Sequence, residues 1–217
     1  MCVEVCGPGS EGQRPSFVHF RNGGSGCSLN YTEHLETLIA AWCRAYPQLG
    51  HIDMDRIIVA ATRCRSKSSR GVYASVTSLR SGRSCCVDRS GRRFYRWPRI
   101  RKDGREALYL LKFYLPRFHN LTLRDKVSTI LHELHHIHPR CNGEFRVFPG
   151  RNWAHGPSQR EFERMFEGLR RDIMKRLGPL EKYFLGCRFA TLLKRYGSVY
   201  ARRMRLTSAG DGAAVLS

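Results

Sequence analysis

The run His132-Glu133-Leu134-His135-His136 sets two imidazoles four residues apart, with a carboxylate directly after the first. On an α-helix, positions i and i+4 stand one above the other on the same face, so both rings can converge on one cation. Zinc suits such nitrogen donors, and it lowers the pKa of a bound water towards neutrality. Glu133, projecting beside the pair, can accept that water's proton, which makes attack on an amide feasible near pH 7. A third protein ligand is needed, with the fourth position left to water. His155, in Trp153-Ala154-His155-Gly156, is one candidate. Glu161, Glu163 and Glu167 on a downstream helix are others, and Glu144 lies nearer in sequence. The blander reading is a helix that is simply rich in histidine, since His135 and His138 stand in the same stretch. Those two point away from the pair and suit a surface or supporting role.

The element that must carry this group is legible. Val127, Ile130, Leu131, Leu134 and Ile137 fall on one helical stripe, roughly opposite His132 and His136. Thr122-Leu123-Arg124-Asp125 is close to a capping box, so a helix is expected over about 122–138, ended by Pro139. Upstream, Leu35, Leu38, Ile39 and Trp42 predict an amphipathic helix over 33–46, with Thr32 and the acidic Glu33 and Glu36 at its start. Strands are expected near 56–63, 72–79, 93–97 and 107–115, with Asp103-Gly104 as a hairpin turn. Downstream, Pro157 fits the first turn of a helix with Phe162, Met165, Phe166 and Leu169 on one side. A last basic helical segment is expected over about 180–203.

These elements define an α+β domain in which a small, mostly antiparallel sheet packs against the histidine helix, with further helices C-terminal to it. The division expected is a flexible, Gly- and Ser-rich lead over 1–28, a globular domain over 29–178, a basic helical extension over 179–205 and a disordered tail over 206–217. No apolar run approaches the roughly 20 residues of a membrane span. No secretory leader is visible, so a cytoplasmic location is expected. The nine cysteines are scattered and odd in number, which argues for reduced thiols over a disulfide framework. The formal charge of +20 is the compositional oddity. It favours nucleic acid, anionic surfaces or acidic proteins as partners, although a solvated basic surface would give the same number.

The stretch 109–166 resembles the bacterial and phage-type metallopeptidases. The features that carry the likeness are Phe113-Tyr114-Leu115-Pro116-Arg117-Phe118, then His132 to Ile137, then Phe148-Pro149-Gly150-Arg151-Asn152-Trp153-Ala154-His155-Gly156. The His-Gly step before a helix also resembles SprT-like zincins. The resemblance implies a minimal zincin-like domain, with His132, His136 and His155 as zinc ligands and Glu133 as catalytic base. It implies a protein or peptide substrate and hydrolysis of its peptide bonds. The competing reading is a basic nucleic-acid-binding protein whose metal site is structural or vestigial, motivated by the arginines of 80–105 and 188–205. Arg140, Arg146 and Arg151 flank the histidines and suit either oxyanion stabilisation or a structural role. Phe113, Tyr114, Phe118, Phe145 and Phe148 read as core and loop anchors.

Overall fold

The structure, a computed structural model, describes residues 3–6, 16–21, 27–64, 71–80, 99–147 and 159–204. In chain order its elements are β1 (Val3–Cys6), β2 (Ser16–Arg21), β3 (Ser28–Asn30), α1 (Tyr31–Ala45), β4 (Ile57–Arg63), β5 (Ala74–Ser78) and β6 (Arg99–Lys102). There follow β7 (Arg105–Glu106), β8 (Tyr109–Leu115), α2 (Leu123–His135), α3 (Gln159–Arg176), α4 (Pro179–Gly186), α5 (Phe189–Tyr196) and β9 (Ser198–Arg203). The strands form small sheets in the orders β4-β8-β5, β2-β9-β3 and β1-β6-β7. The fold is α+β, and most ladders among the described residues are antiparallel. The exceptions are β3 on β9 and β4 on β8.

The parallel pair explains the sequence of β4. Ile57, Val59 and Ala61 join the main core with Tyr109, Leu111 and Phe113 of β8. Ile58, Ala60 and Leu110 point the other way, into a smaller cluster with Leu79, Ile100, Ala107 and Met204. A strand covered on both faces reads as a continuous apolar run, which is the pattern of Ile57 to Ala61. Helices α1 and α2 belong to the main core, and every residue of the predicted stripe, from Val127 on α2 to Ile137 just past its end, is fully buried.

Several boundaries differ from the sequence reading, for local reasons. Helix α1 begins at Tyr31, because the side chain of Asn30 accepts the Glu33 amide at 3.3 Å and caps it. Thr32 lies inside the helix, where its hydroxyl accepts from the Arg202 amide at 3.0 Å. The expected turn at Asp103-Gly104 is present. Both residues have positive φ, 49° and 78°, as a two-residue hairpin of the primed type requires. The expected strand at 93–97 lies outside the described residues. On α3, Leu169 and Ile173 are buried, whereas Met165 is 56% exposed and leaves the predicted apolar side.

The basic segment 180–203 is not one helix. It divides into α4 and α5 and ends in strand β9. Gly197 closes α5 with φ of 64°, and Val199 and Ala201 are fully buried between β2 and β3. Helical spacing at 189–196 cannot continue through this alternating run, because period-two burial needs an extended backbone. The pairing of β9 with β2 also brings residues 16–21 of the expected flexible lead into the fold.

Three buried charges join these layers. Glu36 of α1 forms ion pairs with Lys102 of β6 and with Arg202 of β9, the latter at 3.1 Å. Lys102 also donates to the carbonyls of Met54 and Ile57, at 2.7 and 2.9 Å. Acidic residues in a helix's first turns are usually read as solvated, but this one is nearly inaccessible.

Candidate metal centre

Thr122 starts α2 by accepting the Asp125 amide at 3.1 Å. The buried stripe then fixes the helix's rotation, which turns His132 and His136 towards the partly exposed side. Their Nε2 atoms lie 3.1 Å apart, and their rings meet nearly at right angles, 86°, with centroids 4.7 Å apart. Two nitrogen ligands of a tetrahedral zinc at about 2.0–2.1 Å would be separated by roughly 3.3 Å. The two imidazoles therefore fit as adjacent corners of such a site.

Glu133 turns from the stripe towards the sheet and is 8% exposed. Its carboxylate accepts the backbone N–H of Val76, in β5, the edge strand beside β8. Burial pushes its pKa up to about 7, against the opposing pull of that hydrogen bond. His135 points elsewhere, with its ring edge-on to Phe166 of α3 at 5.1 Å. Burial, reinforced by the charge of Arg146 and the neighbouring histidines, lowers its pKa to about 4. At neutral pH it is an uncharged prop.

The helix ends sooner than its spacing predicts, at His135. The cause is the returning loop. The Arg146 amide donates to the His136 carbonyl at 2.8 Å, and its Nε donates to the His135 carbonyl at 3.0 Å. Ile137 pairs with Phe145 as an isolated antiparallel bridge. The loop is tied down further by Tyr109, whose hydroxyl donates to the Glu144 carbonyl at 2.6 Å and accepts from the Gly143 amide at 2.9 Å. Ser78 donates to the Gly143 carbonyl at 2.5 Å. Gly143 has φ of 86°, and a Cβ there would meet the Arg80 side chain at 3.0 Å.

Two candidate third ligands are engaged elsewhere. Glu144 pairs with Arg80 at 2.7 Å and accepts from Asn142 at 2.9 Å. Glu167 pairs with Arg170 and lies 3.6 Å from Arg124 and 3.8 Å from Arg171. Among the described residues no third His, Cys, Asp or Glu joins His132 and His136 in a metal-holding group. His155 lies outside the described residues, as do Arg151, Phe148 and the side chains of Glu161 and Glu163. The His155-Gly156 step lies there too.

Tyr109, Ser78 and Val76 are parts of the site's frame that sequence reasoning missed. Only Tyr109 carried a signal. A phenol in a run of fully buried strand residues needs a hydrogen-bond partner close by. Phe113 and Phe118 are core residues as expected, with ring centroids 4.6 Å apart. Arg140 sends its amide to His138 Nδ1 at 3.1 Å and is exposed.

Fold and site together define a small α+β protein with a helix built to offer paired imidazoles and a buried carboxylate. The family model described as "Putative phage metallopeptidase" matches residues 28–178, more than half of the chain, and the chain belongs to that family. No curated protein and no solved structure matches it. No helix among the described residues is long and apolar enough to cross a membrane.

Proposed function

We propose that this protein is a zinc-dependent peptidase acting on protein or peptide substrates in the cytoplasm. The observation that carries the reading is the 3.1 Å approach of His132 Nε2 to His136 Nε2 on one turn of helix, with Glu133 between them in sequence. His132, His136 and His155 hold the ion, the last on the strength of the resemblance in residues 148–156. Zinc supplies Lewis acidity, lowering the pKa of water towards neutrality and polarising a carbonyl.

The chain's own groups do the rest. Glu133, with a pKa near 7, takes the proton of the attacking water and returns it to the departing amine. The Val76 amide donates to this carboxylate and opposes the rise in its pKa that burial causes. His135, uncharged, holds the helix against α3 without competing for the proton.

The test is metal stoichiometry joined to peptide cleavage. Wild-type protein binds one zinc per chain and cleaves a casein-type substrate. Glu133→Gln keeps the zinc and loses cleavage by about 100-fold or more. His132→Ala and His155→Ala lose the zinc. Retained zinc in His155→Ala, with loss in Glu161→Ala or Glu163→Ala, moves the third ligand to that glutamate. Cleavage unaffected by Glu133→Gln overturns the mechanism.

A further inference from the structure

The sheet β2-β9-β3 has an outward face that the metal centre does not use. Along β2 the pattern alternates: Phe17, His19 and Arg21 are exposed, whereas Val18 and Phe20 turn to the core. His19 is the register partner of Tyr200 on β9. The two rings stack with centroids 6.0 Å apart and planes 24° from parallel. Phe17 sets its ring edge-on to Tyr200 at 5.6 Å and is itself 37% exposed. Three ring systems thus stand together on two neighbouring strands at the protein surface.

The surroundings are cationic. Neither β2 (Ser-Phe-Val-His-Phe-Arg) nor β9 (Ser-Val-Tyr-Ala-Arg-Arg) contains an acidic residue. Arg21 is exposed at the end of β2. The guanidinium of Arg63, also exposed, caps the free edge of the strand: it donates to the His19 carbonyl at 2.8 Å and lies over the core-facing Phe20 ring at 4.7 Å from its centroid. Arg202 is excluded from this count, because Glu36 neutralises it in the interior. The whole chain carries a formal charge of +20.

Rings on a sheet flanked by arginines match one partner chemistry: unpaired bases on a phosphate backbone. Every base has a π-face that an aromatic side chain can cover, and each phosphate is a partner for a guanidinium. In a duplex the base faces are already stacked on one another and cannot reach the rings. A membrane surface would need apolar side chains long enough to enter it, and a flat face containing histidine and a phenol offers few.

We infer that the outward face of β2 and β9, around Phe17, His19 and Tyr200, binds single-stranded nucleic acid. The rings stack on bases, and Arg21, exposed on the same face of β2, meets a phosphate. Bases and phosphates are common to DNA and RNA, so both bind. The site stands apart from the metal centre, and the inference holds whether or not the protein cleaves peptides.

The test uses the full chain, with chelator present so that metal plays no part. Labelled oligothymidylate and oligouridylate of about 12 nucleotides, within the span of one stacking platform, are titrated by fluorescence anisotropy at two salt concentrations. Wild-type protein binds both, and binds a duplex of equal length at least tenfold more weakly. Phe17→Ser/His19→Ser/Tyr200→Ser weakens single-strand binding about tenfold or more. Arg21→Gln lowers the salt dependence by about one unit of slope. Ultraviolet crosslinking of wild-type protein, which needs no variant to fold, places adducts in 16–21 or 198–203. Equal affinity in a triple variant of unchanged melting temperature overturns the inference. So does equal affinity for duplex, tighter binding to anionic lipid vesicles, or crosslinks found only elsewhere.

Discussion

Arg146 Nε donates to the main-chain carbonyl of His135 at 3.0 Å. The last carbonyls of a helix have no intrahelical partner and need a donor from elsewhere. Here the donor comes from a loop that doubles back beneath the helix, and it acts one residue before His136. The position of the second imidazole is therefore set by a contact ten residues downstream in the loop, together with the helix itself.

Removing that donor should loosen the metal site without unfolding the protein. Arg146→Ala keeps the backbone bond to His136 but loses the side-chain bond to His135. Zinc affinity, measured by competition with a chromophoric chelator, is expected to fall about tenfold, in the range seen when groups that orient metal ligands are lost. Circular dichroism should be unchanged. Undiminished affinity would mean that helix packing alone positions the rings.

The buried ion pairs predict a large stability effect. In Glu36→Gln the shape is kept, but Lys102 and Arg202 are left as two buried cations without a counter-charge. Breaking such a pair costs about 3–5 kcal/mol, read as a lower urea midpoint. Arg105 offers the contrast. Its bonds to Asp53 and Asp55, at 3.0 and 2.8 Å, lie at the surface. Arg105→Ala should cost less than about 1 kcal/mol. Similar losses in both variants would show that the Glu36 carboxylate is reached by water.

His119 predicts a pH dependence. It is fully buried, with Nδ1 at 3.0 Å from the Tyr31 hydroxyl and Nε2 at 3.7 Å from the Cys187 thiol. Burial, and then the charge of Lys126, hold its pKa well below 6.5. The folded protein keeps this ring neutral, whereas the unfolded chain takes up a proton as pH falls through about 6.5. Its contribution to stability is thus complete above that value and lost below it. Urea unfolding at pH 7 and pH 5 should show a smaller acid loss in His119→Gln than in wild type. Burial lowers His34, His51 and His135 as well, and these act equally in both proteins. An identical acid loss would mean that His119 takes the proton while folded.

Tyr109→Phe tests the pinning of the loop over 138–147. The substitution removes a donor to Glu144 and the acceptor for the Gly143 amide, at a cost of about 1–3 kcal/mol. Hydrogen exchange should accelerate at the amides of His138, Gly143 and Arg146, which face this loop's own bonds. Exchange confined to global unfolding would show that Ser78 and the Ile137–Phe145 bridge hold the loop unaided.

The sequence by itself determined the parts that rest on local geometry. A stripe from Val127 to Ile137 can be buried in only one rotation of the helix, and that rotation turns His132 and His136 together to the other side. Asp103 and Gly104 likewise form their turn because both tolerate positive φ. Tertiary structure decided what depends on distant pairing. It buried Glu36 between Lys102 and Arg202, gave the Glu133 carboxylate the Val76 amide, ended α2 with Arg146, and drew residues 198–203 out of a helical pattern into a strand. Each of these contacts joins residues separated by more than a turn or two of helix, 11 residues for Arg146 and His135 and 166 for Arg202 and Glu36. Periodicity and capping act over a few residues, so they carry no record of which strand or loop will supply the partner.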